Sequence, residues 1–161
     1  MHPRAEQLIA ELRLEVHPEG GFYRELFRSR VAVLPADDRG PRVGLTTIYF
    51  LLTDEMASRW HRVRSDEVWH LYEGGPLELF ELDLAAQSLS RHQLTKVGDG
   101  GAPVCTIPAD CWQAARSVGP YALGGCSVGP GFEFADFQLL VDDAGAATGV
   151  RERWPELAKL I

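Results

Sequence analysis

The segment Ser58-Arg59-Trp60-His61-Arg62-Val63-Arg64-Ser65-Asp66-Glu67-Val68-Trp69-His70-Leu71-Tyr72-Glu73-Gly74 gathers most of the side chains able to do chemistry. It reads as a strand, a tight polar turn and a second strand ending in glycine, which is a hairpin. Side chains alternate across a strand, so Arg59, His61 and Val63 share one face, and Glu67, Trp69 and Leu71 share another. Folded this way, His61 and Glu67 both look into a barrel. An imidazole titrates near neutrality without much tuning, which suits His61 to general-base work. A carboxyl inside a barrel needs a partner. Glu67 therefore orients His61, ligates a metal, or pairs with Arg59. His70 points the opposite way from Glu67, so a His–Glu–His metal triad needs a bulge to form.

Four other positions belong to the same chemistry. Arg24 and Arg59 carry the planar donor fork that suits a carboxylate or phosphate, with Arg59 favoured because it shares the His61 face. Trp69, on the Glu67 face, could stack on a sugar or base. In Glu133-Phe134-Ala135-Asp136-Phe137-Gln138, strand alternation groups Phe134, Asp136 and Gln138, and an inward Asp136 would orient His61. The glycines at 124–125, 129 and 131 are turn or bulge residues. No phosphate-binding loop and no serine or cysteine nucleophile motif accompanies them.

The elements that must position these groups are mostly strands. Pro3 to Leu14 carries Leu8, Ile9 and Leu12 at helical spacing, and His17-Pro18-Glu19-Gly20-Gly21 breaks that helix. Short aromatic and β-branched runs follow: 22–29, 45–52, 59–63, 67–72, 77–83, 88–95, 103–107, 113–116, 122–128 and 133–140. Trp154–Ile161 reads as a short terminal helix. Strands without intervening helices exclude a βαβ arrangement and point to an all-β jelly roll or related double-sheet barrel. The 161 residues read as a single domain, 1–161, able to bury a real core. Sixteen basic against 23 acidic residues give a net charge of −7, and no basic run interleaves with aromatics. Nucleic-acid and anionic-membrane binding are therefore disfavoured. No stretch is apolar enough to span a bilayer, no signal pattern opens the chain, and the three cysteines lack a Cys-x-x-Cys pair. The expectation is a cytoplasmic protein with reduced thiols.

The spacing of His61, Val63, Glu67 and Gly74 resembles the first motif of the cupin superfamily, with Val63 in place of its second His. Pro108-Ala109-Asp110-Cys111-Trp112-Gln113 resembles the second motif, with Asp110 for its Gly and Gln113 for its His. Pro18–Glu25, Ser58–Gly74, Pro108–Ala114 and Gly124–Phe132, taken in order, look like the small-cupin family described as predicted sugar epimerases (domain of unknown function 985). The resemblance implies a cupin jelly-roll (double-stranded β-helix) barrel with short N- and C-terminal helices, often dimeric and related in shape to dTDP-sugar epimerases. Those enzymes use a His–Asp base pair and a Tyr acid, which carries over to His61, Asp136 and Tyr121 or Tyr23. Cupin metal centres typically use three His and a Glu. Here a metal, if bound, would be held by His61, Glu67 and Gln113. Two strong ligands hold a transition ion poorly, so no cofactor is expected and a divalent metal stays an alternative.

The expected function is a small-molecule-binding cupin, an epimerase or isomerase of a sugar or nucleotide-sugar-like metabolite with His61 as base. Glu67, Asp136 and Tyr121 would assist catalysis, and Arg24, Arg59, Trp69 and Gln113 would hold a sugar-like or anionic ligand. The alternatives are a non-catalytic metabolite-binding cupin and a metal-dependent cupin enzyme. Phe22 to Arg30, flanked by glycines, could add to a neighbour's sheet edge and give a homodimer.

Overall fold

Proline at the first helical position costs no hydrogen bond and presets φ. Pro3 takes that place in helix α1 (Pro3–Leu12) of the computed structural model, which describes residues Met1–Ile161. The His2 side chain caps the helix by accepting from the Arg4 N–H, and Arg13 ends it in the left-handed region. Runs of β-branched and aromatic residues between Gly, Pro and Asp turns then become strands. In order they are β1 (Glu15–Val16), β2 (Phe22–Arg28), β3 (Ala32–Val33), β4 (Arg42–Val43), β5 (Thr46–Thr53) and β6 (Ser58–Val63). There follow β7 (Asp66–Gly74), β8 (Leu77–Asp83), β9 (Ser88–Leu94), β10 (Val104–Ile107), β11 (Trp112–Ser117), β12 (Tyr121–Gly129) and β13 (Phe137–Leu139). Helix α2 (Ala144–Arg153) and a 3-10 segment (Pro155–Leu160) finish the chain.

The strands form two antiparallel sheets that face one another. One runs β1-β2-β5-β12-β7-β10 and the other β13-β6-β11-β8-β9, with β3 and β4 as a separate hairpin. Alternation drives Phe50, Leu52, Trp69, Leu71, Leu77 and Leu79 into the space between the sheets. The outer faces are covered differently. Ala5 and Leu8 of α1 pack on Leu51 and Leu123, while Ala146, Ala147 and Val150 of α2 pack with Leu157 on Trp60, Phe80 and Trp112. The all-β architecture with terminal helices is as the sequence implies.

Four local features depart from the expected pattern. The hairpin expected over Ser58–Gly74 does not form: β6 pairs with β11 and β13 in one sheet and β7 with β10 and β12 in the other, so the polar turn between them crosses from sheet to sheet. The run 133–140 is not one strand: Phe134–Asp136 forms a 3-10 turn and only Phe137–Leu139 pairs, with β6. Helix α2 precedes the expected terminal helix, which itself is 3-10. Its Ala- and Gly-rich sequence has little amphipathic signal, and burial of Ala146, Ala147 and Val150 holds it helical, helped by the Asp143 carboxylate capping Ala146 N–H. In β6, His61 pairs with Gln113 while Ser58 pairs with Ala115, so β6 carries one extra residue. This bulge shifts the parity: Ser58 and His61 both turn inward, and Arg59 does not.

Leu79 is fully buried at the centre of the inter-sheet layer. Leu79→Ala is expected to cost about 2–5 kcal/mol in urea unfolding followed by tryptophan fluorescence, and a loss below about 1 kcal/mol would contradict close packing of that layer.

Candidate functional site

The inter-sheet space widens at one end into a cavity of about 320 Å³. Tyr23 and Glu25 of β2, Thr46, Ile48 and Phe50 of β5, His61 and Val63 of β6, Glu67 of β7, and Cys126 and Val128 of β12 line it. Two non-strand segments complete the wall: the turn bearing His17 and Glu19, and the Phe132-Glu133-Phe134 loop. The turn depends on two glycines. Gly20 and Gly21 have φ of +106° and +73°, and a Cβ at Gly20 would stand 2.2 Å from the Ala57 carbonyl oxygen.

His61 is 1% exposed, and the β6 bulge decides its tautomer. Its Nδ1 lies 2.7 Å from the Arg59 carbonyl oxygen, an acceptor only, so Nδ1 carries the proton and Nε2 keeps its lone pair. Nε2 makes no hydrogen bond; Glu19 Oε2 lies 3.4 Å from it. Burial pushes the imidazole below its ordinary pKa, against the pull of Glu67 and the Arg59 carbonyl. The ring stacks on Phe137 with centroids 5.5 Å apart.

Glu19 stands between two imidazoles. Its Oε1 accepts from the Ser58 hydroxyl at 2.8 Å, and its Oε2 lies 3.5 Å from His17 Nδ1. His17 Nδ1 accepts from the Glu19 backbone N–H at 3.3 Å, which places the proton of neutral His17 on Nε2. The two histidines thus hold opposite tautomers. Burial pushes the Glu19 carboxyl up and the His17 imidazole down.

Glu67 is fixed from behind. An indole N–H can only donate, so Trp69 Nε1, 2.8 Å from Gln113 Oε1, fixes the orientation of the Gln113 amide. The amide nitrogen then donates to Glu67 Oε2 at 2.6 Å. The Cys126 thiol lines the same cavity; burial first, and the neighbouring Glu67 carboxyl next, push that thiol well above its ordinary pKa. It stays protonated and is a packing group rather than a nucleophile. Burial raises the Glu67 carboxyl, partly opposed by His61.

Of the expected site residues, His61 and Glu67 meet in the cavity, Tyr23 borders it, and the others do not line it. Gln113 and Trp69 lie behind Glu67, buried, and Trp69 has no face free to stack on a ligand. Arg59, displaced by the bulge, donates to the Pro18 carbonyl, and Arg24 is exposed and donates to the Leu12 carbonyl. Asp136 accepts two hydrogen bonds from Arg42, both 2.8 Å, which hold its carboxyl below the ordinary range. It ties down the β3–β4 hairpin and does not orient His61, because the 3-10 turn replaces the expected strand alternation there. Tyr121 donates to Glu73 at 2.8 Å on the α1 side of the sheet, and hydrogen bonds from Arg4 and Tyr121 bring Glu73 down to about 2. His70 faces outward beside Tyr72, as strand parity implies.

His17, Glu19, Glu25 and Arg28 are the lining groups that strand-based reasoning missed. The run His17-Pro18-Glu19-Gly20-Gly21 held the signal: two titratable residues flank a proline just before a glycine pair able to fold them inward. The cupin-type metal set does not fit these residues. Val63 is apolar, Gln113 Oε1 is held by Trp69, and no three His, Cys, Asp or Glu side chains converge closely enough to hold an ion. No metal step is therefore derived.

Two facing antiparallel sheets with a polar chamber at one end define a cupin barrel. The family model "Cupin superfamily (DUF985)" matches residues 6–140, and the chain belongs to that family. A hypothetical protein from Leishmania major is 31% identical over 98% of this chain and 96% of its own, with a TM-score of 0.81. A protein from Shewanella oneidensis is 31% identical, covering 97% and 93%, with a TM-score of 0.80. Oxalate decarboxylase from Bacillus subtilis is 15% identical, with a TM-score of 0.58 over 91% of this chain and 36% of its own, a likeness of fold alone. No curated protein matches the chain. Cupins often bind small molecules or metals.

The native Glu67 carboxyl holds its proton more tightly than the unfolded one. The stability this contributes is fully present below the ordinary carboxylate pKa and is lost as pH rises through the raised native value. Glu67→Gln does not titrate, so its melting temperature relative to wild type is expected to climb as pH rises above the ordinary carboxylate range. Scanning calorimetry reads this directly; a flat or falling difference would contradict the buried carboxyl.

Proposed function

We propose that this chain binds a small carbonyl-bearing, sugar-like metabolite and moves a proton on it, as an isomerase or epimerase does. The observation that carries the proposal is the asymmetry of His61: Nδ1 is tied to the Arg59 carbonyl, and Nε2 is left with an unused lone pair beside the cavity. A neutral imidazole so oriented is set up to accept a proton. His61 Nε2 takes the proton α to the carbonyl, and the electron pair moves onto the carbonyl oxygen as an enolate. The buried carboxyls of Glu19 and Glu67, whose protons desolvation holds more tightly, are suited to donate a hydrogen bond to that oxygen when protonated. Return of a proton to the opposite face, or to the neighbouring carbon, completes epimerisation or isomerisation. Tyr23, which borders the cavity beside His17, is the tyrosine suited to the acid role.

The test is deuterium uptake α to the carbonyl, followed by NMR in D2O across a panel of aldoses, ketoses and amino sugars. His61→Asn is expected to keep its melting profile and to lose at least about a hundredfold in exchange rate. Undiminished exchange in that variant removes the base assignment. A panel member that binds without exchange moves the protein to the metabolite-binding alternative.

We also propose a homodimer. The β1–β2 ladder ends at Tyr23, no strand pairs with the outer edge of β2 from Arg24 to Arg28, and Leu26 and Phe27 are exposed there. An open edge is a template for another strand, and like edges pair about a two-fold axis. Light scattering should give twice 17.8 kDa for wild type and a monomer for Phe27→Asp. A monomeric wild type at micromolar concentration overturns this.

A further inference from the structure

The charge of the cavity wall is one-sided. Four carboxyl side chains line it (Glu19, Glu25, Glu67 and Glu133), against one guanidinium, that of Arg28. Arg28 is not free to meet a ligand. Its Nε and Nη2 donate to Glu25 at 3.2 and 2.8 Å, Nη1 donates to Glu133 at 2.9 Å, and Nη2 also reaches the Phe132 carbonyl at 3.3 Å. Four of its five N–H donors are thereby used. The other arginines that could have held an anion, Arg24 and Arg59, donate to backbone carbonyls outside the cavity.

Deeper in, two acceptors are left over beside the N–H donor of His17 Nε2. Glu19 is more than nine-tenths buried, its Oε1 is taken by Ser58, and its Oε2 has no hydrogen-bond partner. His61 Nε2, 3.4 Å away, has none either. The span is too long for one to serve the other well. The rings of Tyr23, Phe50, Phe132 and Phe134 also line the cavity. Aromatic faces attract cations, and desolvation strengthens the attraction. An anion entering this space would meet carboxyls and ring faces with almost no free cationic donor. A protonated amine would meet two unpartnered acceptors, a carboxyl able to exchange its proton for the incoming charge, and a lining of π surfaces.

We propose that the ligand of this cavity is a small organic ammonium ion, with its charged nitrogen against Glu19 Oε2 and its carbon skeleton among Tyr23, Phe132 and Phe134. This deepens, and rests on, the assignment of the cavity as the metabolite site, and it narrows the sugar-like class toward amino-substituted members. A volume of about 320 Å³ is at the lower end for small-molecule sites, in keeping with a compact amine.

Benzylammonium, benzyl alcohol and benzoate are nearly the same shape and differ in charge. Titration of each into the full-length protein, followed by amide and methyl NMR shifts, reads the preference. The expected order is benzylammonium at least about tenfold tighter than the alcohol, with no saturable shift from benzoate. Glu19→Gln should weaken benzylammonium about tenfold and leave the alcohol unchanged. Exposed Glu15→Gln should alter neither. Equal binding of alcohol and ammonium, tighter binding of benzoate, or no saturable binding of benzylammonium overturns the proposal. His61→Asn separates this inference from the proton-transfer assignment: the charge order should survive in that variant while deuterium exchange is lost.

Discussion

Two imidazoles and two carboxyl groups share a space between sheets that is largely closed to water, and no arginine or lysine reaches them from the core. Burial opposes charging each one, so the imidazoles stay neutral and the carboxyls hold protons more tightly. Such a cluster is tolerated only if its polar atoms find neutral partners. The Arg59 carbonyl, the Ser58 hydroxyl and the Gln113 amide supply them. Much of the backbone irregularity around the cavity serves those contacts, including the β6 bulge that aims the Arg59 carbonyl inward and the glycine turn that swings Glu19 beneath it.

The arginines do work of a different kind. Arg4 binds Glu73 beside α1, Arg28 joins β2 to the Phe132–Phe134 loop, Arg42 holds Asp136, and Arg62 holds Gln138 against β13. Each joins a peripheral segment to the barrel, and Arg28 holds the loop that borders the cavity. Planar forks with several donors are suited to such joints. Because those donors are committed to carboxylates and carbonyls of the chain itself, the cavity is left rich in acceptors and poor in cations.

Membership of the cupin family supplies the barrel and the place of the chamber, while the chemistry belongs to this chain's own side chains. Val63 and Gln113 stand where the superfamily's motifs have histidines. Gln113 has become a bracket that links Trp69 to Glu67. In compensation, His17 and Glu19 enter from the turn before β2 and restore a four-group titratable cluster by another route. Proton transfer and binding of an amine draw on the same imbalance, a surplus of lone pairs where water is scarce.

Alternating apolar runs and turn residues determined the all-β class, the two successive strands β6 and β7, and the inward facing of His61 and Glu67, because period-two alternation is a local property that the sequence carries by itself. Only the tertiary structure decided the rest of the site. A single inserted residue in β6 reverses side-chain parity, and its position is set by pairing with β11, more than 50 residues away in the chain. Asp136 and Tyr121 were assigned by sequence order and resemblance, yet Arg42 and Glu73, brought alongside by folding, claim them. His17 and Glu19 belong to a turn, and a turn's side chains face a cavity only through where its ends are anchored. That depends on contacts such as the one between Arg59 N–H and the Glu19 carbonyl, which no local pattern encodes.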